Sequence, residues 1–397
     1  MRAARFLDKL RRNGWGWTWR RILREGYAPD TRLGRALHPL AAPPLTAVRR
    51  LHALIHRRAA AVPAEARRTL TLFYDLEVCP ITYDFAVFLA HGEAQRRARG
   101  LDALRVIFVS GWKDGLRPEA PEYEAVLNAD ARRWRLHNLC IPLIALAPAC
   151  RGYTLCGSRA EAALLRQACG DAVVPEGYDP AFPLAPALAE HAEYAAAGHE
   201  LKVLAAPPQG RVYVRQWLET RLGGRKLVTI TLRHYKFMPQ RNSNLAAWAA
   251  FARELDPAEY CIVVVPDTDS AMQPLPDAFD GLLNFREACW NIGLRAALYE
   301  AAWLNLGTSG GPSALCWFNP AARYITFKLL VPEVPQATAE TLAAHGYFVG
   351  KTPAFVGRHQ KWVWEDDDLP VIRREFAAMA AAITAAEAAG GGYPRST

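Results

Sequence analysis

Two stretches of this 397-residue chain combine residue types suited to holding an anion. The first is Leu304-Asn305-Leu306-Gly307-Thr308-Ser309-Gly310-Gly311-Pro312-Ser313, which ends an apolar run and opens a helical pattern. Glycines let backbone approach a ligand closely, and a helix start offers unpaired N–H groups with partial positive charge. Pro312 suits a first helical turn, and the Ser309 and Ser313 hydroxyls could donate to phosphate oxygens. Gly307, Thr308, Ser309, Gly310, Gly311 and Ser313 are therefore candidate binding residues, against the plainer reading of a tight turn. The second stretch starts at Arg233, which ends the run LVTITL and is followed by His234, Tyr235, Lys236 and Arg241. Arginines at a strand end can grip a diphosphate in bidentate fashion, or form an ordinary surface ion pair. Glu300, shortly before the glycine-rich turn, could accept hydrogen bonds from ribose hydroxyls.

Carboxylates that could act as a general base lie elsewhere. Asp75 and Glu77 follow the run TLTLFYD, and Asp84 lies just beyond Pro80. A base needs reach to the hydroxyl first and a tuned pKa second. The sequence does not choose between Asp75 and Glu77, and a helix cap or ion pair is an equally good reading of each. Arg132, Arg135 and Asn138 could bind an acceptor or neutralise these acids. Asp267-Thr268-Asp269 spells a DxD metal–nucleotide motif after an apolar strand, but Asp366-Asp367-Asp368 repeats the pattern in the same chain. Short acidic triplets arise easily by chance, so no metal site is expected.

Alternating strand and helix patterns must position these groups. Strands are expected at Thr69–Asp75, Arg105–Ser110, Tyr153–Cys156, Leu227–Leu232, Cys261–Val265, Trp303–Gly307 and Tyr324–Leu329. Helical patterns fall between them, at 81–100, 122–139, 212–222, 244–255, 292–302 and 313–318, with a closing helix over 370–389. Ser158 and Glu161 form a capping box at a further helix start. This alternation is the signature of mainly parallel α/β sheets covered on both faces. Leu204-Ala-Ala-Pro-Pro-Gln-Gly210 reads as a hinge. The expected domains are a basic extension over 1–68, one Rossmann-like α/β unit over 69–205 and a second over 206–397. Ligands in such sheets bind at the carboxyl ends of the strands.

The formal charge is +9, and it is unevenly distributed. Residues 1–68 hold 16 Arg or Lys against four acids, a charge of +12, which leaves −3 on the rest. A slightly acidic body argues against gripping nucleic acid with that body. Within the extension, Ala3, Phe6, Leu7 and Leu10 share a helical face, Trp15, Trp17 and Trp19 cluster, and Leu45, Val48, Leu51, His52 and Ile55 form another stripe. Tryptophans beside many arginines suit an anionic membrane surface. Packing on the body and stacking on bases are the rival readings. No apolar run reaches membrane-spanning length, and no cleavable leader pattern is evident. The eight cysteines lack metal-binding spacing and read as reduced core residues. The expected location is cytoplasmic, peripheral on the inner face of the membrane.

The strand–Arg233 element, the Glu300 region and the run LNLGTSGGPSAL resemble the nucleotide-binding half of GT-B-fold glycosyltransferases, over roughly residues 206–330. The last run is similar to the Asn-Asp-Ser-Gly-Pro turn of heptosyltransferase-like enzymes, with Thr308 where those have an acidic residue. The strand–Arg element is similar to the donor-binding arginine of fucosyltransferases, without their His-x-Arg-Arg pattern. The resemblance implies two Rossmann-like domains facing a cleft, a nucleotide-sugar donor, no obligatory metal or cofactor, and a final helix crossing back to the first domain, which the stretch from Pro370 could supply. A glycan or lipid-linked acceptor would fit the basic extension. A nucleotide-sugar epimerase of the same fold and a non-catalytic membrane-docked binding protein are the alternatives.

Overall fold

The computed structural model describes residues 32–55, 64–184 and 188–389. The apolar stripe over residues 3–10 and the tryptophan cluster at 15–19 lie outside these. The described chain is mixed α/β and forms two compact units. One comprises Met1–Pro80, Arg96–Pro118 and Ala149–Ala187, and the other Ile81–Gln95, Glu119–Pro148 and Leu188–Thr397. The segments 81–95 and 119–148 thus group with the later part of the chain.

The first unit is built on four parallel strands: β1 (Thr69–Asp75), β2 (Ala103–Val109), β3 (Cys150–Cys156) and β4 (Val173–Val174), in the order β3-β2-β1-β4. Every residue of β1 after Thr69 is buried, as expected of a parallel strand covered on both faces. Phe73 stacks on Tyr178 with ring centroids 4.5 Å apart, inside a core completed by Ile107, Val109, Cys156 and Val173. The expected cap is present: Ser158 Oγ accepts the Glu161 N–H at 3.2 Å. The Glu161 carboxylate reaches back one residue further than a regular capping box, to the Gly157 N–H at 2.9 Å.

The second unit carries six parallel strands: β5 (Lys226–Thr231), β6 (Tyr260–Val265), β7 (Leu283–Asn284), β8 (Leu304–Thr308), β9 (Tyr324–Phe327) and β10 (Gln360–Trp362), in the order β10-β9-β8-β5-β6-β7. The chain runs outward from β5 through β6 to β7, then returns and runs the other way from β8. The strand order therefore reverses between β5 and β8. The helix Leu369–Ala388 belongs to this unit, where Ile372, Phe376, Met379 and Ile383 join a core with Trp248 and Phe251. The buried Asp367 carboxylate anchors its start by accepting the Trp248 indole N–H and the Asn244 N–H, each at 2.7 Å.

Two parallel α/β units are thus present. The segment expected to be one helix over 122–139 is broken. Helices Pro121–Glu124 and Ala129–Arg135 are separated at Asn128, whose side chain caps the second, and a π-helical turn follows over Leu136–Cys140. All eight cysteines are free thiols, and only Cys150 is not fully buried. Among the described residues no helix is long and apolar enough to cross a membrane.

Candidate functional site

In an open parallel sheet the loops leaving two adjacent strands in opposite directions leave a crevice between them, at the strands' carboxyl ends. In the six-stranded sheet those loops follow β5 and β8. They carry Arg233 and the Gly307–Ser313 turn, the two stretches with anion-binding character. Gly307 stands beside Thr231 in the ladder, and a Cβ there would meet the Thr231 carbonyl oxygen at 2.8 Å. Glycine at this position lets the two strand ends close up.

The loop after β5 is organised by Arg233. Its Nη1 donates to the Met238 carbonyl at 3.0 Å and to Asn242 Oδ1, and its Nη2 donates to the Phe237 carbonyl at 2.7 Å. Burial, and the repulsion of Arg241, lower this guanidinium from its ordinary value to about 10, so it stays charged at neutral pH. Arg233 thus folds the loop over itself and presents Arg241. Arg241 Nη2 donates to the Ser309 carbonyl at 3.1 Å, which ties the arginine loop to the glycine-rich turn. A second tie joins Ser243 Oγ and Thr308 Oγ1 at 3.0 Å.

The glycine-rich turn is tightly self-bonded. The Ser309 N–H donates to the Phe327 carbonyl at 2.7 Å and the Ser313 N–H to the Gly310 carbonyl at 3.1 Å. Ser313 Oγ accepts the Gly310 N–H at 3.4 Å and donates to the Thr308 carbonyl at 3.3 Å. These bonds make the turn rigid, and several of the amides expected to meet a ligand are used to build it. Gly311 lies against Tyr83, where a Cβ would come within 2.4 Å of the ring. Arg135 joins the same neighbourhood, with its guanidinium 5.4 Å from the Tyr235 ring centroid and 3.7 Å from Asp269 Oδ1.

Glu300 is not brought to this place. It lies at the C-terminal end of the helix Ile292–Ala301, which leads into β8, and so sits at the amino end of the strands. Its carboxylate accepts the Ala206 N–H at 2.7 Å, Arg211 Nε at 2.7 Å and Asn319 Nδ2 at 2.8 Å. It pins the chain at the start of the helix Pro208–Glu219, and the expectation that Glu300 stands with the glycine-rich turn to bind ribose is corrected on that ground. The Asp267–Asp269 triplet is likewise built into the loop. Asp267 accepts the His234 N–H at 3.1 Å and the Asp269 N–H at 3.2 Å. Burial raises the Asp269 carboxyl against the pull of Arg135. No group of three or more metal-type ligands occurs among the described residues.

In the first unit the strand order reverses between β1 and β4, Asp75 is the last residue of β1 and Glu77 follows it. Asp75 is fully buried. Arg159 clamps it in bidentate fashion, Nη1 to Oδ1 at 3.0 Å and Nη2 to Oδ2 at 2.8 Å. Tyr178 Oη also donates to Oδ2, and the Glu77 N–H donates to Oδ1 at 3.0 Å. Burial and then the Asp75 charge raise the Tyr178 phenol well above its ordinary value. Glu77 accepts the Trp112 N–H at 2.9 Å. Nothing local in the sequence marks Arg159, because its partner is 84 residues away.

No family model and no curated protein matches the chain in sequence. Solved structures similar to it include a glycosyl transferase family 9 protein from Veillonella parvula, at 9% identity and a TM-score of 0.45, covering 78% of this chain and 96% of that one. The ADP-heptose lipopolysaccharide heptosyltransferase II of E. coli is similar at 10% identity and a TM-score of 0.43, covering 80% and 99%. A wall teichoic acid polymerase is similar at 9% identity and a TM-score of 0.26, covering 84% and 87%.

Proposed function

We propose that the chain is a glycosyltransferase that uses a nucleotide-sugar donor and needs no metal or cofactor. The observation that carries this reading is the meeting of the Arg233–Arg241 loop with the Gly307–Ser313 turn at the β5/β8 strand-order reversal, joined by the Arg241–Ser309 hydrogen bond of 3.1 Å. In this reading Arg241 neutralises the departing nucleoside diphosphate, with Arg233 holding it in place. Charge set in advance where charge develops is the largest lever an active site has. Of the two carboxylates at the end of β1, Asp75 has both oxygens committed to Arg159 and Tyr178. Deprotonation of the acceptor hydroxyl is assigned to Glu77, whose carboxylate also accepts the Trp112 N–H at 2.9 Å.

The test is thermal melting of the full chain with a panel of nucleoside diphosphates and nucleotide sugars. At least one should raise the melting temperature by several degrees, since ligand at about 100 times its dissociation constant adds roughly 2.7 kcal/mol. Indifference to every nucleotide defeats the reading. Glu77→Gln should keep that ligand response and lose transfer to the acceptor by at least about 100-fold.

The acceptor class follows from the basic extension. Its helix Arg32–Ile55 exposes Leu40, Val48 and Leu51 at 77%, 54% and 58%. Positions 40, 48 and 51 share one helical face. A lipid-linked or cell-envelope glycan, met at an anionic inner membrane surface, suits an enzyme carrying such a segment. In vesicle flotation the full chain should rise with phosphatidylglycerol-containing vesicles and not with pure phosphatidylcholine. The triple variant Leu40→Asp, Val48→Asp and Leu51→Asp should stay at the bottom, and equal flotation of that variant defeats the assignment.

A further inference from the structure

Arg295 lies in the first turn of the helix Ile292–Ala301 and is 1% exposed. It shares the helix's apolar face with Ile292, Ala296 and Tyr299, all buried. Its Nε donates to the Ala288 carbonyl at 2.6 Å and its Nη1 reaches Tyr299 Oη at 3.5 Å. Its Nη2 is buried with no hydrogen-bond partner. Among the described residues no carboxylate lies within ion-pair distance of it. A guanidinium cannot shed its proton to escape this. The second unit therefore holds a permanent positive charge in its interior with no ion-pair partner, reached only at a distance by the charge of Asp267, an arrangement that costs stability.

The position of this charge gives the cost a purpose. The N-terminal end of its helix lies toward the carboxyl ends of the strands. Tyr299, which its Nη1 reaches, bonds Thr231 Oγ1 at 2.8 Å through the same hydroxyl, and Thr231 is the last residue of β5 beside Gly307. Tyr83, whose ring rests on Gly311, lies within electrostatic reach of Arg295 as well. Arg295 thus stands behind both walls of the β5/β8 crevice, and water does not screen it. We propose that Arg295 is the buried counter-charge of an anion, the ligand's diphosphate, bound in that crevice. The inference rests on the nucleotide-binding reading above and adds a residue to it. Arg295 acts through its field across Tyr299 and Tyr83, as a positioning charge, and does not touch the ligand.

Calorimetric titration of inorganic pyrophosphate, a nucleoside diphosphate and the bare nucleoside into the full chain tests this. Arg295→Met keeps length and removes charge. It should melt no lower than the wild type without ligand and bind pyrophosphate at least about tenfold more weakly, since charges act strongly through a poorly screened interior. Arg295→Lys should restore pyrophosphate binding to within about threefold, because it keeps the charge and loses only the fork. Met-variant binding equal to wild type overturns the proposal and leaves the nucleotide reading intact. A folded Arg295→Lys chain that binds tenfold more weakly also overturns it, and this variant decides the matter if Arg295→Met does not fold. A wild type that binds the diphosphate no better than the bare nucleoside overturns both readings.

Discussion

Substituting Asp75 by alanine should destabilise the first unit by about 3–5 kcal/mol, the usual cost of removing one partner from a buried ion pair. The carboxylate is the meeting point of four donors: two from Arg159, one from Tyr178 and one from the Glu77 backbone. Without it, the largely buried Arg159 guanidinium keeps only backbone carbonyls of Ser110 and Pro180 and the face of Trp112, 3.9 Å from the ring centroid. A buried cation held by neutral acceptors alone is expensive. The measurement is the denaturant midpoint of the full chain, read by a probe in this unit. The paired variant Asp75→Leu with Arg159→Met should recover most of the loss, since replacing both partners by apolar groups removes the charge along with its need. An Asp75→Ala chain as stable as the wild type but inactive would restore Asp75 as the base.

Arg233→Ala should weaken donor binding by at least about 100-fold, with a loss of roughly 2–4 kcal/mol in the second unit. In the proposed site Arg241 carries the ligand contact and Arg233 the loop. Its weight comes from the three acceptors it holds, Phe237 O, Met238 O and Asn242 Oδ1. Bonds to a charged donor contribute about 1.5–3 kcal/mol each, and the sum is smaller here because the acceptors are half-buried and Asn242 Oδ1 keeps the Tyr235 N–H at 3.1 Å. Met238 has a left-handed backbone, φ 55°, a conformation that a non-glycine residue holds only when its surroundings insist on it. Releasing the loop therefore also releases Arg241 from Ser309 and Ser243 from Thr308. Arg241→Ala should lose binding equally while keeping the loop, and hence the melting temperature, nearly unchanged. Equal melting temperatures for Arg233→Ala and wild type would show that Arg233 is a ligand contact rather than a loop clamp.

The long strands are legible in the chain's own residue pattern. Runs such as LVTITL and CIVVV are apolar and β-branched, too short for helices, and bounded by turn residues. The glycine-rich turn and the arginine after β5 are legible for the same reason: local chemistry at a strand end does not depend on the rest of the fold. The two-residue strands β4 and β7 are not, since so short a segment carries no period and exists only because a neighbouring edge offers its ladder. Arg295 leaves a trace, a charge on an otherwise apolar helical face, which reads equally well as a snorkelling side chain.

Other assignments depend on long-range pairing. Glu300 precedes the glycine-rich turn closely along the chain, yet a helix runs antiparallel to the strands it connects, so its last turn delivers the residue to the opposite edge of the sheet. Asp75 and Arg159 look unrelated in sequence, and burial makes them one unit. Parallel α/β sheets with anion-binding chemistry at particular strand ends follow from residue order alone, because periodicity and turn chemistry are local. Which strands become neighbours is settled by packing in the folded chain, where contacts form across long stretches of sequence. The β5/β8 reversal joins Arg241 to Ser309 across 68 residues of chain, and the folded chain bonds the Asp75 and Glu300 carboxylates to arginines far along the sequence.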